Sequence, residues 1–157
     1  GLEAQTTRKA VVSGQRSVDL SKPAPAERLV QLQKFLRDRK SQGLVAGDPC
    51  ETSVPISVGT PITATLQGGD CQSSDGTYVD FYDLQGTAGQ AISISMDSNS
   101  FDTYLYLFDD QGNIVDENDD GGGGTNSRVP NLGGVMTLPY TGDYFIGANS
   151  YDPVSGT

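Results

Sequence analysis

The stretch Thr103-Tyr-Leu-Tyr-Leu-Phe108 decides the fold, because the five consecutive apolar or aromatic residues that follow the threonine leave it no polar face. A short run of this kind is typical of a central strand that is buried on both sides. The neighbouring runs with strand character are residues 61–66, 78–84, 90–96, 113–115, 134–138 and 143–147. Turn signals separate them, among them TAGQ, DDQGN and a run of four glycines. Short strands at this spacing predict an all-β antiparallel sandwich with one hydrophobic core.

The length and the composition of the chain are consistent with one such domain and one additional segment. The chain has 157 residues, 35% of them hydrophobic, and 20 glycines, which suits a turn-rich β-protein better than a helical one. It contains no run of eighteen apolar residues, so no membrane span is expected. No signal peptide is visible and the first residue is Gly1. We therefore expect a processed mature form whose export signal has been removed.

The sequence contains no histidine, which limits the kinds of catalytic and metal-binding site that the chain can form. It excludes a Ser-His-Asp triad, a Cys-His nucleophile pair and every histidine-ligated zinc or iron site. A Ser-Lys dyad is conceivable, but nothing at a suggestive spacing supports it. We expect this chain to have no catalytic activity of its own.

Cys50 and Cys71 each lie beside a turn signal, in GDPCE and GGDCQ. They are either two buried thiols of a cytosolic protein or one disulfide that closes a strand-turn-strand segment. The acidic composition, rich in Gly, Ser, Thr and Asn, favours the disulfide, which would contribute about 3 kcal/mol through loop entropy. It would also indicate an oxidising, extracytoplasmic setting.

Charge divides the chain into two parts. Residues 1–43 hold nine of the ten basic residues and four acids, whereas residues 44–157 hold only Arg128 against sixteen acids. A basic segment often indicates nucleic acid, but a chain with net charge −10 would repel a polyphosphate. Docking of the basic part on the acidic body, within one molecule or between neighbours, is the simpler prediction.

The basic part is predicted to contain an extended arm, residues 1–25, and a helix, residues 26–43. The arm includes a β-prone run made of Arg8, Lys9, Ala10, Val11 and Val12. In the helix, an apolar stripe at helical spacing predicts packing against a sandwich or, less favourably, a membrane surface. The stripe consists of Leu29, Leu32, Phe35 and Leu36. Gly43 stands where a C-cap glycine belongs.

Residues 52–157 resemble the bacterial pre-peptidase C-terminal (PPC) domain family. The resemblance rests on Tyr-Val-Asp-x-Tyr at 78–82, Thr-Ala-Gly-Gln at 87–90, Phe-Asp-Thr-Tyr-Leu at 101–105, Asn-Asp-Asp at 118–120 and Thr-Gly-Asp-Tyr at 141–144. Each piece alone is weak, but their order is specific. The resemblance implies a secreted, non-catalytic, jelly-roll-like β-sandwich of bacterial origin that is usually appended to exported enzymes.

Calcium ligation recurs in this wider group, and the acidic loop DENDDGGGGTNS (116–127) supplies oxygen ligands of the type that Ca²⁺ prefers. The alternative is that these acids are solvated turn residues that keep an exported protein soluble. We expect structural calcium. The predicted ligands are Asp102, Asp109, Asp116, Asn118, Asp119, Asp120, Asn126 and Ser127, with Asp109 and Asp119 as substitutes.

The given sequence ends at Tyr151-Asp-Pro-Val-Ser-Gly-Thr157, where the family is expected to continue. The resemblance implies a further Gly-x-Tyr-x-Leu strand, so residues 44–157 are predicted to be a PPC-like sandwich that lacks its last strand. Three explanations are open: truncation, an arm that folds back on its own body, or an arm that donates its strand to the next subunit. We favour the third. It predicts a secreted, calcium-stabilised homopolymer that assembles head to tail into an extracellular filament. The alternatives are an accessory domain of a secreted peptidase or other exported hydrolase, and a module that binds an extracellular polysaccharide or protein.

Overall fold

The structure, a computed structural model, describes residues 2–7, 24–42, 47–131 and 133–154, with side chains for 24–39, 47–131 and 133–154. Strands dominate these residues, which confirms the all-β prediction. The described part also contains one helix, α1 (Ala26–Gln42), and a 3₁₀ turn, Pro49–Glu51. No helix in the described ranges has the length and apolar character that a bilayer span requires.

Eleven described strands form two sheets. In chain order they are β1 (Leu2–Thr7), β2 (Val54–Ile56), β3 (Ile62–Ala64), β4 (Cys71–Gln72), β5 (Tyr78–Gly86), β6 (Ala91–Ser98), β7 (Thr103–Phe108), β8 (Ile114–Asn118), β9 (Ser127–Val129), β10 (Met136–Thr137) and β11 (Gly142–Ser150). The first sheet has the order β10-β6-β1-β3, with β9 also paired to β6. The second has the order β2-β5-β11-β7-β8, with β4 also paired to β5. All pairs are antiparallel except β2 with β5.

A core of alternate strand residues fills the space between the two sheets. Its fully buried members include Ile92, Ile94 and Met96 of β6, which follow the period of two that the sequence shows. Leu105 and Leu107 of β7 face them from the second sheet. This is the hydrophobic core that the sequence predicts.

A second apolar cluster lies on the other side of the second sheet, under α1. Leu32 and Leu36 of the helix are buried there against Tyr104, Tyr106 and Phe108 of β7, and Leu29 and Phe35 pack at its margin. The predicted packing stripe is therefore confirmed. The sandwich keeps its single core between the sheets, and the helix adds this second cluster on the outer face, so every residue of β7 is buried.

Arg28 fastens the start of α1 to the end of β11. Its side chain is 3% exposed, and its guanidinium donates hydrogen bonds in three directions. Nε donates to Asp75 Oδ2 at 2.6 Å, Nη1 to Asn149 Oδ1 and the Ser150 carbonyl at 3.0 and 2.9 Å, and Nη2 to the Tyr151 carbonyl at 2.7 Å. A rigid fork of this kind fixes the helix in one orientation.

The predicted disulfide between Cys50 and Cys71 is present. It joins the 3₁₀ turn to β4, at the end of α1. Arg39 of the helix lies over the rings of Phe81 and Phe145 and donates to the Cys50 carbonyl at 2.9 Å. The helix is thus held at both ends, by Arg28 and by Arg39.

The predicted donor strand, residues 8–12, lies outside the described residues, as does Gly43. The strand that the structure does describe in the arm is β1, which lies just before it. β1 occupies an interior position, paired with β6 through six residues and with β3 through three. In this structure the arm completes a sheet of its own chain, which was the second of the three explanations. The prediction that a later family strand is missing stays a prediction.

Candidate metal centre

The β7–β8 hairpin brings the acidic loop to one end of the sandwich. Leu105 pairs with Asn118 in the antiparallel register, so the start of β7 and the end of β8 lie side by side. Asp102 immediately precedes β7, while Asp119 and Asp120 immediately follow β8. The hairpin therefore juxtaposes acids that are seventeen or more positions apart in sequence.

Three carboxylates converge at this point. One oxygen from each of Asp102, Asp119 and Asp120 lies within 4.8 Å of the other two. Asp119 is 2% exposed, and each of the three residues has at least one oxygen that is shielded from solvent. We refer to these residues as the carboxylate cluster.

Three ionised carboxylates at this separation repel one another. With an effective dielectric constant of about 20, each pair of unit charges 4.8 Å apart costs roughly 3.5 kcal/mol. A divalent cation between them would convert this repulsion into attraction. The arrangement therefore favours cation binding on electrostatic grounds.

The glycines let the loop turn tightly beside the cluster. The Gly122 amide donates to the Asn126 carbonyl at 2.9 Å, and the Asn126 amide donates to the Gly123 carbonyl at 3.1 Å. Gly123 and Gly124 have φ of 97° and 62°, in the left-handed region that favours glycine. The loop is therefore a defined hairpin rather than a slack spacer.

Gly121 packs against the side chain of Asn118, which binds backbone amides on both sides of the loop. A Cβ at this position would lie 2.7 Å from both Nδ2 and Oδ1 of Asn118. The Asn118 amide oxygen itself accepts from the backbone amides of Gly121 and Arg128, at 2.7 and 2.9 Å. Asn118, a predicted ligand, thus ties the two arms of the loop together.

Two other predicted ligands are engaged elsewhere. Asp109 lies in the β7–β8 turn, where its carboxylate accepts from the amides of Gln111 and Asn113 at 2.8 and 2.9 Å. Asp116 accepts from the amides of Glu117 and Asn131. Asp109 therefore stabilises the β7–β8 turn, and Asp116 holds the backbone at Asn131. Neither residue belongs to the carboxylate cluster.

Asn126 and Ser127 hold the loop against the first sheet. Asn126 Oδ1 accepts from the Ser98 amide at 3.2 Å. The Ser127 hydroxyl donates to the Asp119 carbonyl and lies 2.6 Å from the Thr103 hydroxyl. Sequence reasoning missed Ser98, Thr103 and Asn131 as partners of this loop, because residue spacing does not show which backbone amide a side chain will meet.

Comparison with known protein families gives a match for the part of the chain that holds this loop. The sequence profile of the bacterial pre-peptidase C-terminal domain matches residues 78–150. This part of the chain is a PPC domain. It runs from β5 to β11 and includes the whole carboxylate cluster. Neither the curated proteins nor the solved structures gave a match.

The residues of the PPC domain fit a hard cation. The carboxylate cluster offers oxygen donors alone, and Ca²⁺ takes six to eight oxygens from carboxylates, carbonyls and water. Three carboxylates would supply three to six of them, depending on whether each binds through one or both oxygens. Asp102, Asp119 and Asp120 are therefore the residues that would hold the ion.

Proposed function

We propose that the chain is a secreted, non-enzymatic structural subunit that is stabilised by calcium and assembles head to tail by exchanging β1 between copies. The observation that carries the proposal is the interior position of β1. Its backbone pairs with β6 on one side and with β3 on the other. A copy without β1 would expose two facing rows of backbone hydrogen-bonding groups, which form a receptor for a strand.

The connection between β1 and the rest of the chain supports exchange. Sixteen positions, 8–23, separate β1 from the first described residue before α1. A chain of that length spans up to about 50 Å when extended. It can place β1 in the sheet of its own chain or in that of a neighbour, with the same strand pairing in both states. When each copy donates β1 to the next, the copies form a filament unless the rotation between neighbouring copies closes them into a ring.

Charge supports the encounter between copies. The basic residues lie almost entirely in residues 1–43, and the acidic excess lies in the body. Opposite charges on the donating and receiving parts of two copies accelerate their association at low ionic strength.

Calcium would act on the receiving body. The loop that carries Asp119 and Asp120 also holds Ser127, the first residue of β9, and β9 pairs with β6. An ion bound by the carboxylate cluster would therefore stiffen the loop that leads into the sheet that receives β1. No catalytic role is assigned to it, and the chain lacks histidine for acid-base work at neutral pH.

Engineered cysteines give a direct test of strand exchange. Gln5 of β1 pairs with Ser95 of β6, and directly paired residues of antiparallel strands have Cα atoms within disulfide range. We expect the double variant Q5C/S95C to give a ladder of covalent oligomers on a non-reducing gel after assembly. Electron microscopy of the same sample should show fibres.

The two single variants, Q5C and S95C, provide the matched control. When they are mixed, a disulfide can form only between chains, so the expected product is a covalent dimer. If Q5C/S95C yields a cross-linked monomer alone and the mixture yields no dimer, strand exchange is refuted. Deletion of residues 1–7 should abolish fibres, and fibres that persist would contradict the proposal equally.

The family favours a second candidate function. A PPC domain fits an accessory module of a secreted peptidase or another exported hydrolase, and the disulfide is consistent with an extracytoplasmic setting. The complete reading frame distinguishes the two candidates, because a peptidase encoded in the same frame would support the accessory module. Binding assays on purified extracellular polysaccharides and collagen test the remaining ligand-binding reading.

A further inference from the structure

One flank of the sandwich contains a cavity between the two sheets. β3 ends the strand order of the first sheet, and β2 ends that of the second. The cavity lies where these two strands approach β5 and has a volume of about 290 Å³. Ligand pockets in proteins commonly measure about 300–1,000 Å³, so this cavity suits a small molecule. We refer to it as the flank pocket.

The described lining of the flank pocket is mostly apolar. Val54 of β2 and the residues Ile62 and Ala64 of β3 contribute aliphatic walls, and Tyr82 of β5 contributes an aromatic one. An alkyl chain in contact with these walls would be removed from water, which favours its binding.

Two carboxyl groups, those of Asp70 and Asp80, also line the flank pocket. In the β4–β5 hairpin Cys71 pairs with Val79, and the two acids stand at the next position of the antiparallel register. Asp70 Oδ2 accepts from the Gln67 amide at 2.7 Å, which fixes its orientation. The hairpin therefore holds the two acids side by side.

Asp80 is half-buried and faces the space between the sheets. It shares one face of β5 with Tyr82 and Leu84, which belong to the core between the sheets. Burial, the charge of Asp70 and a hydrogen bond with Asp70 raise the pKa of Asp80 to about 7. Burial, Asp80 and Asp70 likewise raise the pKa of Tyr82 to about 12. A cation placed beside Asp80 would favour its ionised form.

The described lining residues include no basic side chain that could serve as this cation. Arg39 lies on the opposite face of the second sheet, over the ring of Phe81. Ala148 of β11, which pairs with Asp80, is uncharged. The 3₁₀ turn with the residue after it, β2 and β3 contribute only uncharged residues to the lining, namely Pro49, Thr52, Val54, Ile62 and Ala64.

This combination suits an alkylammonium group better than a metal ion. Two carboxyl groups have four oxygens between them, whereas Ca²⁺ takes about six to eight, and aliphatic side chains add none. An alkyl chain, in contrast, can lie along the apolar walls while its ammonium group donates charge-assisted hydrogen bonds to the carboxyl groups.

We propose that the flank pocket binds a small aliphatic amine, with the ammonium group against Asp70 and Asp80 and the alkyl chain along Val54, Ile62 and Ala64. The carboxyl groups select for positive charge, and the walls select for an aliphatic chain. The site consists of residues of the sandwich alone and depends neither on strand exchange nor on calcium.

Titration of the full chain with n-butylamine tests the site. We expect n-butylamine to bind about tenfold more tightly than 1-butanol, which lacks the charge, because a hydrogen bond between charged groups contributes at least that factor. Ammonium ion, which lacks the chain, should also bind more weakly. Amide chemical shifts of β3, β4 and β5 should saturate together. Equal affinity for the three probes, or shifts spread over the acidic surface without saturation, would overturn the proposal.

An amine of this kind is either a free molecule or the side chain of a lysine in another protein. Nα-acetyl-lysine amide distinguishes these sources, because its peptide groups must remain at the mouth of the flank pocket. We expect n-butylamine to bind at least as tightly as this lysine derivative. Binding of the lysine derivative alone would overturn the assignment to a small free amine.

Three variants locate the binding. Asp80→Asn should weaken n-butylamine binding by about tenfold or more. Ala64→Leu keeps both carboxyl groups but fills the cavity, and should also abolish binding. Asp152→Asn removes an exposed carboxylate elsewhere and should bind as the wild type does. Slow hydrogen exchange of β11 verifies that each variant is folded. An equal loss in Asp152→Asn, or wild-type binding by Ala64→Leu, would refute the site.

The pH profile gives a readout that a merely structural role of the pair would not change. n-Butylamine stays protonated at neutral pH, as a lysine does, and it favours the ionised form of Asp80. Since the pKa of Asp80 is about 7, the affinity should rise by about tenfold between pH 6 and pH 8 and level off above. Asp80→Asn should show no such rise. A flat profile in the wild type, or the same rise in Asp80→Asn, would contradict the proposal.

Discussion

Replacing Arg28 by alanine tests how α1 is held to the PPC domain. Arg28 is almost fully buried, and its guanidinium serves four acceptors: Asp75, the Asn149 side chain and the carbonyls of Ser150 and Tyr151. The alanine variant leaves these acceptors in place without their donor. The cost therefore includes the desolvation of acceptors that remain buried as well as the lost ion pair.

The magnitude follows from the burial of the pair. Removing one partner of a buried, hydrogen-bonded charge pair typically costs about 3–5 kcal/mol. Asp75 is partly open to water, with its side chain 28% exposed, so we expect a value near the lower end, about 3 kcal/mol. For a domain of this size that corresponds to a decrease in Tm of roughly 6–12 °C.

Lys34→Ala provides a matched control on the same helix. Lys34 also forms an ion pair at 2.6 Å, with Asp38, but its side chain is 69% exposed. An exposed pair at i,i+4 contributes only about 0.3–0.5 kcal/mol. Urea unfolding followed by circular dichroism, with thermal melts alongside, measures both variants. If Arg28→Ala and Lys34→Ala destabilise the protein equally, burial does not set the strength of the clamp and the reasoning is refuted.

Four further predictions follow from the same structure. Burial acts to raise the pKa of Asp75, but hydrogen bonds from Ser73, Thr77 and Arg28 outweigh it and lower the pKa to about 2. Because an unfolded aspartate titrates near 3.9, the stabilisation from Asp75 should be present above pH 4 and lost as the pH falls towards 2, as acid melts of wild type and Asp75→Asn would show. Excess chelator should lower Tm by about 5–10 °C if Ca²⁺ is bound at a hundredfold its Kd, and Asp119→Asn should remove that response in calorimetry. Reduction of the disulfide, or Cys71→Ser, should lower the free energy of unfolding by about 3 kcal/mol in denaturant titrations. Gly121→Ala should cost about 1–3 kcal/mol and weaken calcium binding in titration calorimetry, because its methyl group would meet Asn118, whereas Thr125→Ala at an exposed neighbouring position should do neither.

Long, patterned strands could be predicted from the sequence. The predicted run at 103–108 matches β7, and those at 78–84 and 90–96 match β5 and β6 within two residues at each end. Their alternation or continuous apolar character reflects burial that the chain itself encodes. The helix and its packing stripe were predictable for the same reason.

Strands of two or three residues were not predictable. β9 reads Ser-Arg-Val and is wholly buried, and β4 has only two residues. β1 reads LEAQTT, which has little strand character of its own, and pairing with β6 and β3 imposes its conformation. Tertiary context decides such segments.

The candidate site shows the same limit at the level of single atoms. Sequence reasoning named eight ligands, and the structure gathers three of them, Asp102, Asp119 and Asp120. The number of acids in the loop predicted a site rich in oxygen ligands. Hydrogen bonds from backbone amides hold Asp109 and Asp116 away from that site, and the sequence does not show these bonds. The proximity of Asp70 and Asp80 was not predicted either. The register of the β4–β5 hairpin brings these two acids together, and their spacing of ten residues does not reveal that register.

The burial of β7 on both faces has a consequence for mutational tolerance. A strand of an ordinary half-solvated sheet accepts polar substitutions at every second position. All six residues of β7 are buried, half against the first sheet and half against α1 and its surroundings. In a saturation mutagenesis scan of β7, we therefore expect polar substitutions to be destabilising at every position rather than at every second one. Detachment of α1 should restore a period of two, since it would return the outward-facing positions of β7 to water.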